Sequence, residues 1–244
     1  MFPENAAPLL NVEQLVKRFG GFRALDGVSF HVLPGEILGL VGPNGSGKTT
    51  TINVITGLYA PDGGNVTFEG KAVSGLPSYR LAHLGINRTF QVPRPFQSLS
   101  VRDNVVVAAV HGRRAAGAAE VEEILASLEL DSCALKVAAE LNSTQQKMLD
   151  LARALATQPR LLCVDELAAG LSSAELERVA RRLRALAQSG MALLVVEHLM
   201  GFIDRVTDRV VVLNAGKEIF EGTLRDAAGD PRVVEVFLGS PDGA

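Results

Sequence analysis

Residues 37–50 read ILGLVGPNGSGKTT, and this stretch decides the fold. Ile37–Val41 is a short, uninterrupted apolar run, which is typical of a strand buried on both faces of a parallel sheet. Residues 42–49 then fit the pattern G-x-x-x-x-G-K-[ST], in which backbone N–H groups cradle phosphate oxygens. The order of strand, glycine-rich loop and helix predicts an α/β core with a phosphate-binding loop, and we expect the helix to cover residues 48–58.

Each residue type in this loop has a chemical reason. Glycines let the backbone turn its N–H groups inward without a Cβ in the way. The N-terminus of the following helix adds partial positive charge, which attracts anions. Lys48 is predicted to reach the β- and γ-phosphates of a nucleotide, and Thr49 to offer its hydroxyl to Mg²⁺. The alternative is a glycine-rich loop that merely caps a helix, but the pattern matches in full and in the required context.

Two further apolar stretches end in residues that suit phosphate chemistry. Residues 161–164 (LLCV) run into Asp165 and Glu166, and Ala192–Val196 leads to His198. Functional side chains of open α/β sheets gather at the carboxyl ends of the strands, so we expect these groups at one edge. Asp165 is predicted to hold Mg²⁺ and Glu166 to polarise an attacking water. For His198, a hydrogen bond to the γ-phosphate and a purely structural role both remain open from its position alone.

The remaining patterns place attachments around this core. Alternating or apolar runs predict strands at residues 9–15, 28–32 and 65–69, and a hairpin at residues 210–221. Apolar residues at helical spacing predict helices around residues 121–128, 145–156 and 176–186. Buried strands that alternate with helices predict a parallel α/β sheet, to which a strand-rich start and a helical middle are attached.

Composition excludes several other classes. The chain has 244 residues, of which 47% are apolar, so it can bury a core. Its 24 basic and 27 acidic side chains leave a net charge of −3, which argues against a nucleic-acid binder held by bulk charge. The apolar runs fall short of the roughly 20 residues that a membrane-spanning helix needs, and residues 1–10 lack the features of a secretion signal. Cys133 and Cys163 are expected to be reduced thiols of a cytoplasmic protein.

Taken in order, the motifs resemble those of the ATP-binding subunit of an ABC transporter over about residues 9–222. GPNGSGKT at residues 42–49 looks like the Walker A loop, and LLCVDE at residues 161–166 looks like Walker B with its catalytic glutamate. Gln91 looks like the Q-loop glutamine and His198 like the switch histidine. AGLS at residues 169–172 sits where the D-loop belongs.

The resemblance implies the ABC ATPase fold. This fold has a P-loop NTPase (RecA-like) α/β core, an N-terminal antiparallel β subdomain and an α-helical subdomain. We expect a single domain of this kind over residues 1–244, with the helical subdomain inserted at about residues 88–140.

The resemblance also implies the site residues. Glu166, His198 and Lys48 are expected to act in catalysis. Thr49, Gln91 and Asp165 are expected to hold Mg²⁺. The residues expected to bind ATP, either in this chain or from a partner's signature loop, are Phe19, Gly42, Pro43, Asn44, Gly45, Ser46, Gly47, Lys48, Thr49, Thr50, Asn142, Ser143, Thr144 and Gln145. Phe19 occupies the position that stacks on adenine, although a core aromatic is the alternative.

The same resemblance predicts partners and a location. A second ABC ATPase subunit, identical or different, is expected to close the site, and integral membrane permease subunits are expected to dock on it. Residues 92–96, with Arg94 and Phe96, and the helical segment that includes Arg102 are the expected docking surface. The chain would then lie in the cytoplasm, peripheral on the inner face of the cell membrane, and no nucleic acid is expected as a partner.

Finer features narrow the family. GINRTFQ at residues 85–91 and AAGL at residues 168–171 are similar to the ATPases of branched-chain, or hydrophobic, amino acid importers. Urea and amide importers share much of this pattern. A soluble ABC ATPase that is not coupled to transport is the competing hypothesis from another class.

Four positions, in three segments of the chain, depart from the family pattern. Residues 141–145 read LNSTQ where the signature is LSGGQ, or LSYGQ in this subfamily. Asn142 replaces serine, and Thr144 adds a β-branched side chain where the backbone should approach a partner's γ-phosphate closely. Leu167 stands in place of proline, and Ser172 in place of Asp or Asn in the D-loop. We therefore expect a chain that binds ATP well but whose signature supports poor hydrolysis, or even a low-activity regulatory subunit; simple tolerance of variation is the alternative.

Overall fold

The computed structural model describes residues 6–238 and contains a six-stranded central sheet and a four-stranded outer sheet. Residues 1–5, part of the stretch predicted to lack a secretion signal, and residues 239–244, the end of the predicted domain, lie outside the described part. The strands are β1 (Leu10–Phe19), β2 (Phe22–Val32), β3 (Ile37–Val41), β4 (Gly63–Phe68), β5 (Lys71–Ala72), β6 (Ile86–Arg88), β7 (Leu161–Asp165), β8 (Ala192–Val196), β9 (Arg209–Asn214) and β10 (Lys217–Gly222). The helices are α1 (Lys48–Ile55), α2 (Ser78–Leu84), α3 (Val101–Val110), α4 (Ala118–Ser127), α5 (Ser143–Ala156), α6 (Ser173–Gln188), α7 (Met200–Val206), α8 (Leu224–Ala227) and α9 (Pro231–Leu238).

The central sheet has the order β10-β9-β3-β8-β7-β6, and all neighbours except the β10–β9 hairpin are parallel. Strands β3, β7 and β8 are buried along their whole length. Side chains of a strand alternate between its faces, so each strand supplies two cores. Leu162 and Val164 of β7 join one apolar cluster, whereas Leu161 and Cys163 join the other. The predicted α/β fold with a parallel core is confirmed.

The two clusters define two layers around this sheet. One layer contains the outer antiparallel sheet, in the order β2-β1-β4-β5, together with α1. The other layer contains the helices, with α3, α4 and α5 packed against one another beyond it. This arrangement places the amino end of α1 at the carboxyl end of β3, where the glycine-rich loop joins them.

Helix α1 ends at Ile55, three residues before the predicted end at residue 58. Gly57 has φ +72°, the left-handed conformation that commonly terminates a helix. A Cβ on Gly57 would lie 2.4 Å from the carbonyl oxygen of Leu76, so only glycine fits this reversal. The predicted end at residue 58 was wrong because Leu58 continues the apolar pattern of the sequence, although the helix has already ended before Gly57.

The helical middle of the chain contains α3 and α4, with short 3₁₀ turns at Asp131–Cys133 and Ala138–Glu140. Helix α5 begins after residue 140 but packs against both α3 and α4. None of the helices within residues 6–238 combines the length and the apolar character needed to cross a bilayer.

Candidate functional site

The glycine-rich loop has a backbone that other residues could not adopt. Gly42 has φ +147° and Gly47, at the N-cap of α1, has φ +110°. A Cβ on Gly42 would lie 2.2 Å from the carbonyl oxygen of Leu213, and one on Gly47 would lie 2.9 Å from that of Ala24. The loop is therefore wedged between the start of α1, strand β9 and strand β2, with glycine at both ends of the turn.

Lys48 closes the loop from the inside. Its Nζ donates to the carbonyl oxygens of Gly42, at 2.8 Å, and Pro43, at 2.9 Å. Burial lowers the pKa of Lys48, and the carboxylates of Glu166 and Asp165 oppose this shift by stabilising the ammonium. An ammonium held only by carbonyl oxygens of the loop is placed to exchange them for phosphate oxygens.

The hydroxyl of Ser46 is a second feature of this loop that suits an anion. Its Oγ is buried and has no hydrogen-bond partner among residues 6–238. Buried hydroxyls are nearly always paired. An anion seated in the loop would bring oxygens close to this region, which fits the predicted phosphate site.

Glu166 lies where strand β7 has just ended, and its carboxylate is held on both oxygens. Oε2 accepts a 2.5 Å hydrogen bond from Nε2 of Gln91, and Oε1 accepts one from Nε2 of His198 at 2.8 Å. Because a carboxylate only accepts, Nε2 of His198 carries the proton in this bond. Three predicted residues from three strand ends thus meet at one group.

The backbone of Glu166 is itself unusual. Its φ is +48°, a left-handed conformation that costs energy for a residue with a Cβ. The N–H of Glu166 donates to the carbonyl of Val196 at 2.9 Å, which fastens this turn to strand β8. The strained turn lifts the carboxylate out of the strand and towards the phosphate loop.

Asp165, the last residue of β7, is buried and paired. Its Oδ2 accepts a 2.8 Å hydrogen bond from Nη2 of Arg88, and only 2% of the Asp165 side chain is exposed. Burial raises the pKa of Asp165, and the guanidinium of Arg88 opposes that shift. Sequence reasoning named Arg88 only as a neighbour of Gln91 and missed its contact with the carboxylate.

The side chains predicted to hold Mg²⁺ supply the right kind of ligand atom. Thr49 is exposed at the start of α1 and offers a hydroxyl. Asp165 keeps a second carboxylate oxygen, and Gln91 keeps its amide oxygen because its nitrogen makes the bond to Glu166. Oxygen ligands of this type suit Mg²⁺. No cluster of three or more His, Cys, Asp or Glu side chains suited to a metal occurs among the described residues.

These groups share one cleft. A cavity of about 260 Å³ is lined by Phe19, Phe22, Ala24, Asn44, Gly45, Gly47, Lys48, Thr49, Thr50, Glu166 and His198. The ring of Phe19 is 43% exposed and stands edge-on to Tyr59, with ring centroids 5.2 Å apart. Phe19 is therefore not a core aromatic, and the Nζ of Lys17 lies over its ring, 5.5 Å from the centre. The sequence analysis did not predict a role for Phe22, which begins β2 and lines the cleft, or for Tyr59, which packs against Phe19.

The signature residues lie elsewhere. Asn142 is the N-cap of α5: its Oδ1 accepts from the N–H of Gln145 at 2.8 Å, and Oε1 of Gln145 accepts from the N–H of Asn142 at 3.1 Å. Thr144 is hydrogen-bonded to Glu175 of α6. These residues line a separate cavity of about 210 Å³ between α5 and α6. Within one chain they do not meet the phosphate loop.

Lys147, one turn further along α5, was also missed. Its Nζ donates to the carbonyl oxygens of Leu167, at 3.2 Å, and Glu166, at 3.4 Å, and to that of Ala169. The buried carboxylate of Glu197 accepts from the N–H of Ala168 at 2.6 Å on the other side of the same turn. The sequence signal was only a lysine after Gln145 and Gln146, at a spacing that shows nothing about what the lysine contacts.

Comparisons with known proteins agree with this geometry. The profile of the ABC transporter family matches residues 25–169. The chain is 37% identical to the probable branched-chain amino acid transport ATP-binding protein LivG of Archaeoglobus fulgidus, over 96% of each chain. It is 34% identical to the high-affinity branched-chain amino acid transport ATP-binding protein LivG of Escherichia coli, over 95% of this chain and 98% of that one. A nucleotide-free ATP-binding cassette from an ABC transporter superposes with a TM-score of 0.86 at 32% identity, over 96% of this chain and all of that one.

Proposed function

The chain belongs to the ABC transporter family, as its motifs predicted, and we propose that it hydrolyses ATP to power an importer of branched-chain or other hydrophobic amino acids. One observation carries the catalytic part of the proposal. The phosphate loop, Glu166 and His198 line the same cleft, although they come from three separate parts of the chain. The relatives described above are named for branched-chain amino acid transport, which supports the solute class and disfavours a soluble ATPase without a transport role.

ATP is the substrate of this site. Its adenine would stack on the exposed ring of Phe19, and its phosphates would lie on the N–H groups of residues 42–50. Lys48 would release the Gly42 and Pro43 carbonyls and donate to the β- and γ-phosphates. Thr49, Gln91 and Asp165 would hold Mg²⁺, which neutralises developing charge on the phosphates when it is bound.

Glu166 is the proposed general base. It would take a proton from a water aligned with the γ-phosphate, and each carboxylate oxygen keeps a lone pair that can accept from that water beside its present hydrogen bond. As charge develops on the phosphate oxygens, His198 Nε2 would donate to them in exchange for its present bond to Glu166. Gln91 and His198 hold the base in place before the reaction, and Gln91 would keep holding it when His198 donates to the phosphate.

A second ATPase subunit would complete the site. Asn142, Thr144 and Gln145 line a separate cavity rather than this cleft, and the N-terminus of α5 has its positive end there. Each cleft would therefore use the signature of a partner, which is either a copy of this chain or a different ATPase. With Asn142 and Thr144 in the signature, the site closed by this chain would hydrolyse slowly, and a low-activity regulatory role remains the second candidate function.

Permease subunits would dock on the loop after Gln91. Val92 is 67% exposed and Phe96 is 48% exposed, so the loop presents apolar surface. The ring of Phe96 stacks on the guanidinium of Arg153, and Arg153 also donates to the carbonyl of Arg94 at 3.0 Å. Arg102 is paired with Glu122 at 3.0 Å and is a weaker part of the surface. We place the helical subdomain at about residues 88–140 within one cassette, with the chain held at the inner face of the membrane by these contacts.

The test is a pair of carboxamide variants in the assembled transporter. Glu166→Gln removes the base and should lower turnover by about 10²-fold or more, while Mg²⁺-ATP still binds. Glu13→Gln, an exposed carboxylate on β1, is the matched control and should turn over as wild type does. Turnover of Glu166→Gln at the wild-type rate would refute the assignment of the base.

A second measurement tests the solute and the partners. Purification of the tagged chain from its own membranes should recover integral membrane subunits, and reconstituted vesicles should show ATP hydrolysis stimulated by leucine, isoleucine or valine. Recovery of nucleic-acid-binding partners without membrane subunits would instead support the soluble ATPase.

A further inference from the structure

Arg88 is a buried cation to which the proposed mechanism gives no role. It ends the three-residue strand β6, beside β7, and is only 9% exposed. Its Nη2 donates to Oδ2 of Asp165 at 2.8 Å, and its Nε donates to the carbonyl of Thr89 at 3.1 Å. The guanidinium also lies 4.8 Å from the centre of the Phe90 ring.

The other edge of the same guanidinium binds helix α1. Nη1 donates to Oδ1 of Asn53 and lies 3.5 Å from Oγ1 of Thr56, at the carboxyl end of α1. Helix α1 starts with Lys48 and Thr49. One planar group therefore joins the helix that carries Thr49 to the strand end that carries Asp165.

Arg88 also lies in the segment that leads to Gln91. Between them, Thr89 accepts at its Oγ1 from the N–H of Asp165 at 3.2 Å, and the N–H of Thr89 donates to the carbonyl of Cys163 at 2.9 Å. The backbone of residues 88 and 89 is thus fixed against β7, and the N–H of Phe90 donates to Asp150 of α5 at 2.7 Å. Of the three predicted Mg²⁺ ligands, Asp165 binds Arg88 directly. Thr49 lies on the helix whose carboxyl end binds Arg88, and Gln91 follows Arg88 by three residues in the chain.

A buried pair of this kind is poor evidence for stability, because removal of two charges from water offsets much of their attraction. Its value lies in geometry: a guanidinium offers donors in a fixed plane, so it can hold a carboxylate, an amide and a hydroxyl in one arrangement. Here the guanidinium of Arg88 binds Oδ2 of Asp165 and makes no hydrogen bond to Oδ1.

We propose that Arg88 is a positioning residue for the magnesium site, which orients Asp165 and fixes its place relative to Thr49 and Gln91. The proposal rests on the proposed Mg²⁺-ATP site. Arg88 does not touch the metal or the nucleotide; it acts through Asp165 and through the carboxyl end of α1. Groups that orient metal ligands in this way typically change metal affinity about 10–100-fold when they are removed.

The test measures metal binding rather than turnover. Mn²⁺, read by electron paramagnetic resonance, serves as the probe in the presence of saturating ATP, and a fluorescent ATP analogue in EDTA reports nucleotide binding without metal. Arg88→Met should weaken Mn²⁺ binding by about 10–100-fold and leave metal-free nucleotide binding unchanged. Arg88→Lys keeps the charge but not the planar fork, so its Mn²⁺ affinity should also fall.

Arg209→Met is the matched control. Arg209 is another largely buried guanidinium, paired with Glu36 at 2.8 Å, but it begins β9 and so lies at the amino ends of the parallel strands, whereas the cleft lies at their carboxyl ends. This variant should lose thermal stability and retain the wild-type affinity for Mn²⁺. An equal loss of Mn²⁺ affinity in Arg209→Met would show that general loosening, and not Arg88, accounts for the effect.

Asn53→Ala keeps the inference falsifiable if Arg88→Met does not fold. It leaves the Arg88–Asp165 pair intact but removes an acceptor at the end of α1, so Mn²⁺ affinity should fall by less than in the Arg88 variants. Unchanged Mn²⁺ affinity in Asn53→Ala or in a folded Arg88 variant would overturn the inference. Failure of the wild-type chain to bind Mn²⁺ with ATP would instead overturn the proposed function.

Discussion

Replacement of Lys147 by methionine tests how the turn after the catalytic base is held. In the family this turn has a proline, which fixes φ; here Leu167 leaves the backbone free. The ammonium of Lys147 holds this turn by donating to the carbonyls of Glu166, Leu167 and Ala169. Lys147→Met keeps the apolar stem of the side chain and removes all three contacts.

The size of the effect follows from these contacts. A hydrogen bond to a charged group contributes about 1.5–3 kcal/mol. Burial lowers the pKa of Lys147, so the ammonium has lost water to make its bonds and the three contributions do not add in full. We expect a net loss of about 2 kcal/mol, the value of one such bond. For a chain of this size each kcal/mol shifts Tm by about 2–4 °C, so Tm should fall by about 4–8 °C.

In Lys147→Met, the turnover of ATP should fall by more than the loss of unfolding free energy would suggest. Glu166 precedes the loosened turn, and a misplacement of about 1 Å at a reacting group can reduce the rate by about 10²-fold. We expect turnover of the assembled transporter to drop by between tenfold and about 10²-fold, with ATP affinity unchanged, because the phosphate loop does not touch Lys147.

The assay is thermal unfolding together with steady-state ATP hydrolysis by the reconstituted complex. Lys136→Met removes an exposed lysine from the same helical region and should change neither measurement. Lys147→Arg should recover part of the loss, since a guanidinium also donates to several carbonyls. If Lys147→Met unfolds and hydrolyses ATP as wild type does, the turn is held by other contacts and the reasoning is wrong.

Three further predictions concern the signature, the loop and the buried thiols. The double variant Asn142→Ser with Thr144→Gly should raise turnover of the transporter; unchanged turnover would show that the LNSTQ loop closes the site well enough. Lys48→Met should weaken binding of a fluorescent ATP analogue by about 10–100-fold, the equivalent of one charged hydrogen bond, while Lys71→Met, on the exposed strand β5, should bind it normally. Burial raises the pKa of Cys163 to about 12, so iodoacetamide at a pH of about 8, near the ordinary thiol pKa of about 8.5, should label this cysteine only after unfolding in urea; labelling of the folded chain would contradict the buried placement.

The sequence predicted the parts of the fold that local patterns determine. Apolar runs located the central strands, and the rule that function gathers at strand ends placed Asp165, Glu166 and His198 at one edge of the sheet. The same patterns did not give α3 or the length of α1, since a left-handed glycine and packing against other helices decided those.

The contacts that organise the site were beyond local patterns. Gln91 and Glu166 are 75 residues apart in sequence and meet only because β6 and β7 are neighbours. The residue types of Arg88 and Lys147 do not reveal whether their side chains face solvent or bind buried oxygen atoms, as they do here. Which of these occurs is decided by the packing of α1, α5 and the central sheet, and pairing at that range has no signature in spacing.

The replacement of serine by Asn142 in the signature affects the stability of the chain and the turnover of the complex differently, and this makes its role testable. Serine and asparagine are equally good N-caps, so Asn142 keeps the first turn of α5 intact through its bond to the N–H of Gln145. Restoration of serine should therefore leave the unfolding free energy of the chain nearly unchanged. Any change in turnover would then come from the surface that α5 presents to a partner's phosphates, and not from the fold of this chain. A large loss of stability in Asn142→Ser would break this separation, because the variant could then fail for reasons unrelated to closure.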